Sequence, residues 1–276
     1  MDHIRSAIEE ARKQRAENKR RRDNNIGPDE PPGPDQLKFA QEQLWQKLPE
    51  FKTKPGRLLR NRVMTIEANK AAAPYDVMRT NLLHEMRSKN WRRVAITSPG
   101  GQCGKTTVGL NLAFSLARQR DIRVMVVELD LRQPAIARIL GIRPTTDFAD
   151  VLAVQTKVGD SIQRMGDNLA FAVPKKVRQN AAELLQSVHA AHVIDAIEKR
   201  YQPDVMIFDM PPMLVTDDTL AFSDQLDCAL LVGAAETTSI DEIARCKQGL
   251  EDRTNLIGVI LNKCRYMDGA EGYAAD

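Results

Sequence analysis

A lysine and a threonine stand side by side at positions 105 and 106, directly behind a cluster of glycines. Three carboxylates close two apolar runs further along the chain. The stretch from Val94 to Val108 reads VAITSPGGQCGKTTV: an apolar run, a glycine-rich turn, then GKTT opening a second apolar pattern. Glycines let backbone N–H groups turn inward around phosphate oxygens, and a helix start behind them already favours anions. On this reading Gly100, Gly101, Gln102, Cys103 and Gly104 cradle a polyphosphate, with Thr107 just behind them. Lys105 reaches the outer phosphates, and the Thr106 hydroxyl helps to hold Mg²⁺. The strict GxxxxGK(S/T) spacing is not met, because position 99 is proline; the strand–turn–helix context carries the reading instead.

The carboxylates fit the same chemistry. The segment VVELDLR (126–132) puts Glu128 and Asp130 at the end of one apolar run, and MIFDMPP (206–212) puts Asp209 at the end of another. Ligands of doubly wound sheets bind outside the carboxyl ends of the strands, so these acids should converge on the phosphates. The candidate catalytic residues are therefore Lys105, Glu128, Asp130 and Asp209, and the candidate metal set is Thr106, Asp130 and Asp209. Arg132 has two readings of equal standing, a phosphate contact or a structural ion pair. Asp217 and Asp218 precede a helical pattern and read as N-cap residues. No GxGxxG opens a strand–helix turn, which excludes a dinucleotide-binding site of that kind.

These residues need strands and helices in alternation to place them. Apolar runs of strand type lie at 94–97, 124–128, 169–173, 205–209, 228–232 and 256–261. Helical patterns lie between them at 105–118, 135–140, 181–199, 219–224 and 240–250. The alternation predicts an α/β fold: a doubly wound, mainly parallel sheet of P-loop NTPase type, spanning residues 91–265. Upstream stands a helical extension. It comprises a basic helical arm (1–23), a linker with four prolines (24–35), and a helical and tether region (36–90). In that region Leu37, Ala40, Leu44 and Leu48 form one stripe, a tether runs from about 50 to 73, and a helix runs from about 75 to 89. A short tail, 266–276, ends the chain.

The chain has 276 residues, 42% of them hydrophobic and 28% charged, which rules out wholesale disorder. Residues 1–25 carry eight Lys/Arg against five acids, the whole of the net charge of +3, so the body is balanced and no nucleic-acid surface is expected. The KRRR run (19–22) reads as a solvated helix face, with peripheral contact to anionic lipid or to a partner's acidic face as the alternative. Nothing approaches the roughly 18 apolar residues of a membrane span. Four scattered cysteines without a CxxC pair argue against disulfides, structural zinc or a metal cluster and fit a reducing cytosol. The HxxH pair His189 and His192 lacks further ligands and reads as a surface pair. Cys103, inside the phosphate turn, reads as a small residue in a tight loop, with oxidation there as an alternative.

Taken in order, RTNL (79–82), ITSPGGQCGKTT (96–107), NLAFSLA (111–117), ELDLRQP (128–134), AELLQS (182–187), FDMPP (208–212), TDD (216–218) and ILNK (260–263) resemble one family. It is the bacterial tyrosine kinases (BY-kinases) of the CpsD/CapB type, the cytosolic ATPase halves of polysaccharide co-polymerases. The resemblance spans about 70–265. It implies ATP and Mg²⁺ as cofactors, with a tyrosine hydroxyl from a neighbouring subunit's tail attacking the γ-phosphate. Tyr266 and Tyr273 would be the phosphoacceptors, and Asn262 would touch the base. It also implies a cytoplasmic kinase for exopolysaccharide or capsule production, drawn to the inner face of the plasma membrane by a separate membrane-spanning adaptor chain and able to form homo-oligomers.

Three departures stand out. Glu128 replaces the family's usual Asp. The ring-forming stretch reads APYDVMR (73–79), in which only Arg79 of the family's charged set remains. The tail holds two tyrosines rather than a dense cluster, which leaves incidental tyrosines as the other reading. Two further readings follow: a non-kinase ATPase switch of the partition or septum-positioning type, and a catalytically weak module that assembles an export complex. The first would carry an early lysine in the phosphate turn, where this chain has Gly100.

Overall fold

The six apolar runs form strands, and a seventh, shorter strand joins them. In the computed structural model, which describes residues 41–153 and 158–264, the strands are β1 (Arg93–Thr97), β2 (Val124–Glu128), β3 (Ile162–Met165), β4 (Leu169–Ala172), β5 (Val205–Asp209), β6 (Cys228–Ala234) and β7 (Asn255–Asn262). They lie side by side in the order β3-β4-β2-β5-β1-β6-β7. Every pairing is parallel except β3 with β4. β3 has no strong sequence signal because it is a four-residue edge strand, IQRM, with three of its residues only half-buried.

Helices cover both faces, as the continuous apolar runs require. They include α1 (Pro55–Arg60), α2 (Ala73–Ser88), α3 (Lys105–Ala117), α4 (Ile136–Leu140), α5 (Phe148–Leu152), α6 (Ala181–Leu185), α7 (Val188–Tyr201), α8 (Asp218–Ala221) and α9 (Ile240–Glu251). Side chains alternate across the pleat. Val94 and Ile96 of β1 face a core layer with Leu82, Met86, Leu112 and Leu140, whereas Ala95 faces a second layer with Phe148, Leu185, Ile194 and Leu250. Full burial of one such aliphatic side chain stabilises by roughly 1.5–3 kcal/mol, so the two layers dominate the fold.

Three sequence expectations change. The helix expected over 181–199 is two helices, α6 and α7. Ser187 takes an extended conformation, donates its hydroxyl to the Leu184 carbonyl at 2.7 Å and accepts the Ala190 N–H at 3.1 Å, so it ends one helix and caps the next. The expected tether at 50–73 is a packed strap. Leu58, Val63 and Thr65 on it are buried, and the Phe51 N–H donates to the Arg164 carbonyl on β3 at 2.9 Å. Asn111 of α3 grips the strap: its Oδ1 accepts the Met64 N–H at 2.8 Å, and its Nδ2 donates to the Arg62 carbonyl at 2.8 Å. Residues 43–90 thus belong to the same compact unit as the sheet. Third, neither Asp217 nor Asp218 caps α8 through its side chain.

Leu44 and Leu48 of the expected stripe pack on the core, beside the fully buried Trp45. Leu37, Ala40, the basic arm, the proline-rich linker and the tail fall outside the described residues.

Candidate nucleotide site

β1 ends at Thr97 in the middle of the sheet, and the chain turns through residues 98–104 into α3. The turn needs glycine at 104. That residue has φ +93°, and a Cβ there would stand 2.2 Å from the Asn262 amide nitrogen. Around Gly100 and Gly101, by contrast, an added Cβ would meet nothing within 4 Å, so this stretch is open enough to cradle a ligand. The turn is also tied to the strand end that carries Asp209. The Met213 N–H donates to the Ser98 carbonyl at 2.8 Å, and the Thr97 hydroxyl donates to the Pro211 carbonyl at 2.8 Å.

The parallel pairing of β2, β5 and β1 brings the expected residues together. Glu128 sits opposite Asp209 in the register of β2 and β5, and Ile96 of β1 sits opposite the same Asp209. From the first turn of α3, Lys105 Nζ donates to Asp130 Oδ2 at 2.8 Å and lies 3.6 Å from Asp209 Oδ1. The neighbouring Thr106 hydroxyl donates to Asp209 Oδ2 at 2.7 Å. Asp209 Oδ1 is buried and has no hydrogen-bond partner among the described residues.

Burial and charge work against each other here. Burial raises the Asp209 carboxyl above its ordinary range, while Lys105 and the Thr106 hydroxyl pull it back. Burial alone would push the Lys105 ammonium down; Asp209 and Asp130 outweigh it and raise the group above its usual value. Burial, with the Asp209 charge adding to it, lifts Glu128 to about 8. Asp130 and Asp209 together outweigh the one ammonium, which leaves room for further positive charge. The hydroxyl of Thr106 and the unpartnered Asp209 Oδ1 are oxygen donors of the kind Mg²⁺ takes. No group of three or more His, Cys, Asp or Glu among the described residues could hold a metal ion by itself. Mg²⁺ is commonly held by one or two carboxylates together with phosphate oxygens.

Other expected residues are placed differently. Glu128 is fully buried, and its Oε1 accepts the Ala135 and Ile136 N–H groups at 2.5 and 2.8 Å, so its carboxyl group points to the start of α4. Arg132 makes the ion pair: its Nε and Nη2 donate to the two oxygens of fully buried Asp218 at 2.8 and 3.0 Å, and its Nη1 donates to the Gln179 carbonyl. Asn262 donates its amide to the Cys103 carbonyl at 2.8 Å, so β7 braces the phosphate turn. Cys103 is buried with its sulfur 3.6 Å from the Thr238 hydroxyl. Thr107 is the third residue of α3, where its carbonyl accepts the Asn111 amide. His192 is exposed and His189 half-buried. Tyr266 and Tyr273 lie outside the described residues.

Sequence reading missed the bond from Thr97 to Pro211, Thr238, and the pairing role of Asp218. The Asp-Asp pair at 217–218, shortly after DMPP, was the available signal for the last of these. No helix among the described residues is long and apolar enough to cross a membrane.

A glycine-rich turn between a central parallel strand and a helix, with Lys-Thr at the helix start and aspartates on neighbouring strand ends, defines a P-loop nucleotide-binding protein. Over residues 94–273 the chain belongs to the family described as the CobQ/CobB/MinD/ParA nucleotide binding domain. It is similar to the tyrosine-protein kinase YwqD of Bacillus subtilis, with 28% identity over 214 residues that make up 76% of this chain and 89% of the relative. Its fold is similar to the kinase domain of the Escherichia coli tyrosine kinase ETK, with a TM-score of 0.69 and 24% identity over 84% of this chain and 89% of that one. The fold likeness to the septum site-determining protein MinD from Pyrococcus horikoshii, solved with Mg-ADP, is weaker. There the TM-score is 0.54, at 24% identity over 64% of this chain and 72% of that one.

Proposed function

We propose that this chain is an ATP-dependent protein-tyrosine kinase that phosphorylates tyrosines of its own kind, Tyr266 and Tyr273 in particular, in exopolysaccharide or capsule production. The observation that carries the phosphoryl-transfer half is the cluster of Lys105, Thr106, Asp130 and Asp209 at the mouth of the phosphate turn. The kinase half is supported by the similarity to YwqD along most of both chains. The fold is also nearer to the ETK kinase domain than to MinD, which weighs against the partition-type switch.

Residues 100–107 hold the phosphates of ATP, and Thr106 with Asp209 and Asp130 holds Mg²⁺. The Mg-ADP in the MinD relative supports that pairing of nucleotide and metal. The metal supplies positive charge against the phosphate oxygens. Lys105 neutralises charge that builds on the outer phosphates as the tyrosine oxygen bonds to the γ-phosphorus and the bond to the ADP oxygen breaks. Asp130, the least deeply buried of the three acids at 5% exposure, accepts the tyrosine proton. The phosphoacceptor reaches this site from a neighbouring copy. A membrane-spanning co-polymerase chain recruits the kinase to the inner face of the plasma membrane, with the basic arm as a docking element.

The test is incubation with ATP and Mg²⁺, with and without the cytosolic segment of a co-polymerase, followed by phosphosite mapping. Phosphate is expected on Tyr266 or Tyr273, to be lost by at least about a hundredfold in Lys105→Met and kept in the control Lys199→Met. Hydrolysis of ATP with no phosphotyrosine under either condition would return the chain to the switch reading; neither activity would leave the assembly module.

A further inference from the structure

Strand β2 ends on Glu128, the chain passes the phosphate site as the loop 129–135, and α4 begins at Ile136. The Glu128 carboxyl group joins the two ends of that loop. Its Oε1 accepts the N–H of Ala135 at 2.5 Å and of Ile136 at 2.8 Å, and the side chain is fully buried. Among the described residues, Glu128 makes no hydrogen bond to Lys105, Thr106 or Asp130. The remaining loop contacts hold Asp130 in place from other sides. The Leu129 and Asp130 N–H groups both donate to the Asp209 carbonyl, at 2.9 and 3.0 Å. Asp130 Oδ1 accepts the Gln133 N–H at 3.0 Å, and the Arg178 N–H donates to the Leu131 carbonyl at 2.8 Å. Arg132 pairs with Asp218, and the Ala135 carbonyl accepts the Ile139 N–H at 2.9 Å, so without the Glu128 bonds the end of the loop would be held by that one α4 hydrogen bond.

We infer that Glu128 is a positioning residue, which closes the loop 129–135 on itself and so fixes Asp130 against Lys105, rather than the acceptor of the tyrosine proton. The extra methylene is then the point of having glutamate here. From the same backbone an aspartate carboxylate falls short of the two amides, whereas a glutamine reaches them with the same oxygen. The two roles therefore order the substitutions oppositely. A proton acceptor tolerates aspartate and not glutamine; a loop closer tolerates glutamine and not aspartate.

The turnover part of the test rests on the kinase reading above, and the amide part does not. In the full-length chain, Glu128→Gln should leave hydrogen exchange at Ala135 and Ile136 within about threefold of the parent, and Glu128→Asp should speed it by at least about tenfold. Turnover with ATP and Mg²⁺ should stay within about threefold in Glu128→Gln with an unchanged pH profile, and drop by at least about tenfold in Glu128→Asp. A Glu128→Asp variant more active than Glu128→Gln, or amides that stay protected with aspartate, would overturn the inference. If the parent transfers no phosphate, the kinase reading fails and the amide exchange alone decides the role of Glu128.

Discussion

Arg132 and Asp218 show how one pair bears on two sequence readings. From the sequence Arg132 had equal claims as a phosphate contact and as an ion pair. The structure spends both ends of its guanidinium fork on Asp218, whose carboxylate is fully buried. Removing one partner of such a pair strands a charge in the interior, which is worth more than the pair itself. Arg132→Ala should therefore destabilise the fold by about 3 kcal/mol, at the lower end of the range because the arginine side chain is 30% exposed. Urea unfolding measures it, and Arg132→Lys, which keeps the charge and loses the fork, should fall between the two. A loss of ATP affinity in Arg132→Ala with unchanged stability would instead favour the phosphate role. Asp209 and Lys105 were legible in the sequence because the strand end and the glycine turn mark them. The grip of Asn262 on the phosphate turn was not, since 159 positions separate its amide from the Cys103 carbonyl that takes it.

At the scale of elements, periodic segments were readable and aperiodic ones were not. β2 and β5 run from the first to the last residue expected, because continuous apolar runs leave few alternatives. The break between α6 and α7 was missed because the apolar spacing continues across it, and only the Ser187 side chain ends one helix and starts the next. The strap at 50–73 was read as a tether because it has no period; a polar residue on α3 holds it. Asn111 receives the Met64 N–H and donates to the Arg62 and Thr107 carbonyls, and the Thr65 hydroxyl donates to the Asn111 carbonyl. Asn111→Ala would leave the Met64 N–H and the Arg62 carbonyl without their partner, at a cost of about 2–3 kcal/mol. The same change should expose the chain at 61–65 to limited proteolysis while cleavage elsewhere stays at the parent rate. Equal cleavage in both proteins would show that the strap does not depend on this asparagine.

The whole molecule answers to pH through its most buried acids. Glu128 holds its proton up to about 8 in the folded protein, against 4.5 for the free group. Between those values the folded chain binds a proton that the unfolded chain has released, so stability falls as pH rises through this window and levels off above it. The raised carboxyl group of Asp209 adds in the same direction. Glu128→Gln, neutral throughout, should flatten this fall when unfolding is followed from pH 5 to 9. A parallel slope in both proteins would mean that Glu128 is ionised in the fold.

The two borders of the sheet are unequal. Beyond β3 the chain entering the strap pairs with the Arg164 backbone, whose N–H donates to the Pro49 carbonyl and whose carbonyl accepts the Phe51 N–H. Beyond β7 no further strand lies among the described residues, and Val259 and Leu261 are 48% and 64% exposed. On the described residues alone, copies that met edge to edge along β7 would have one open border each, so strand addition there would stop at a pair.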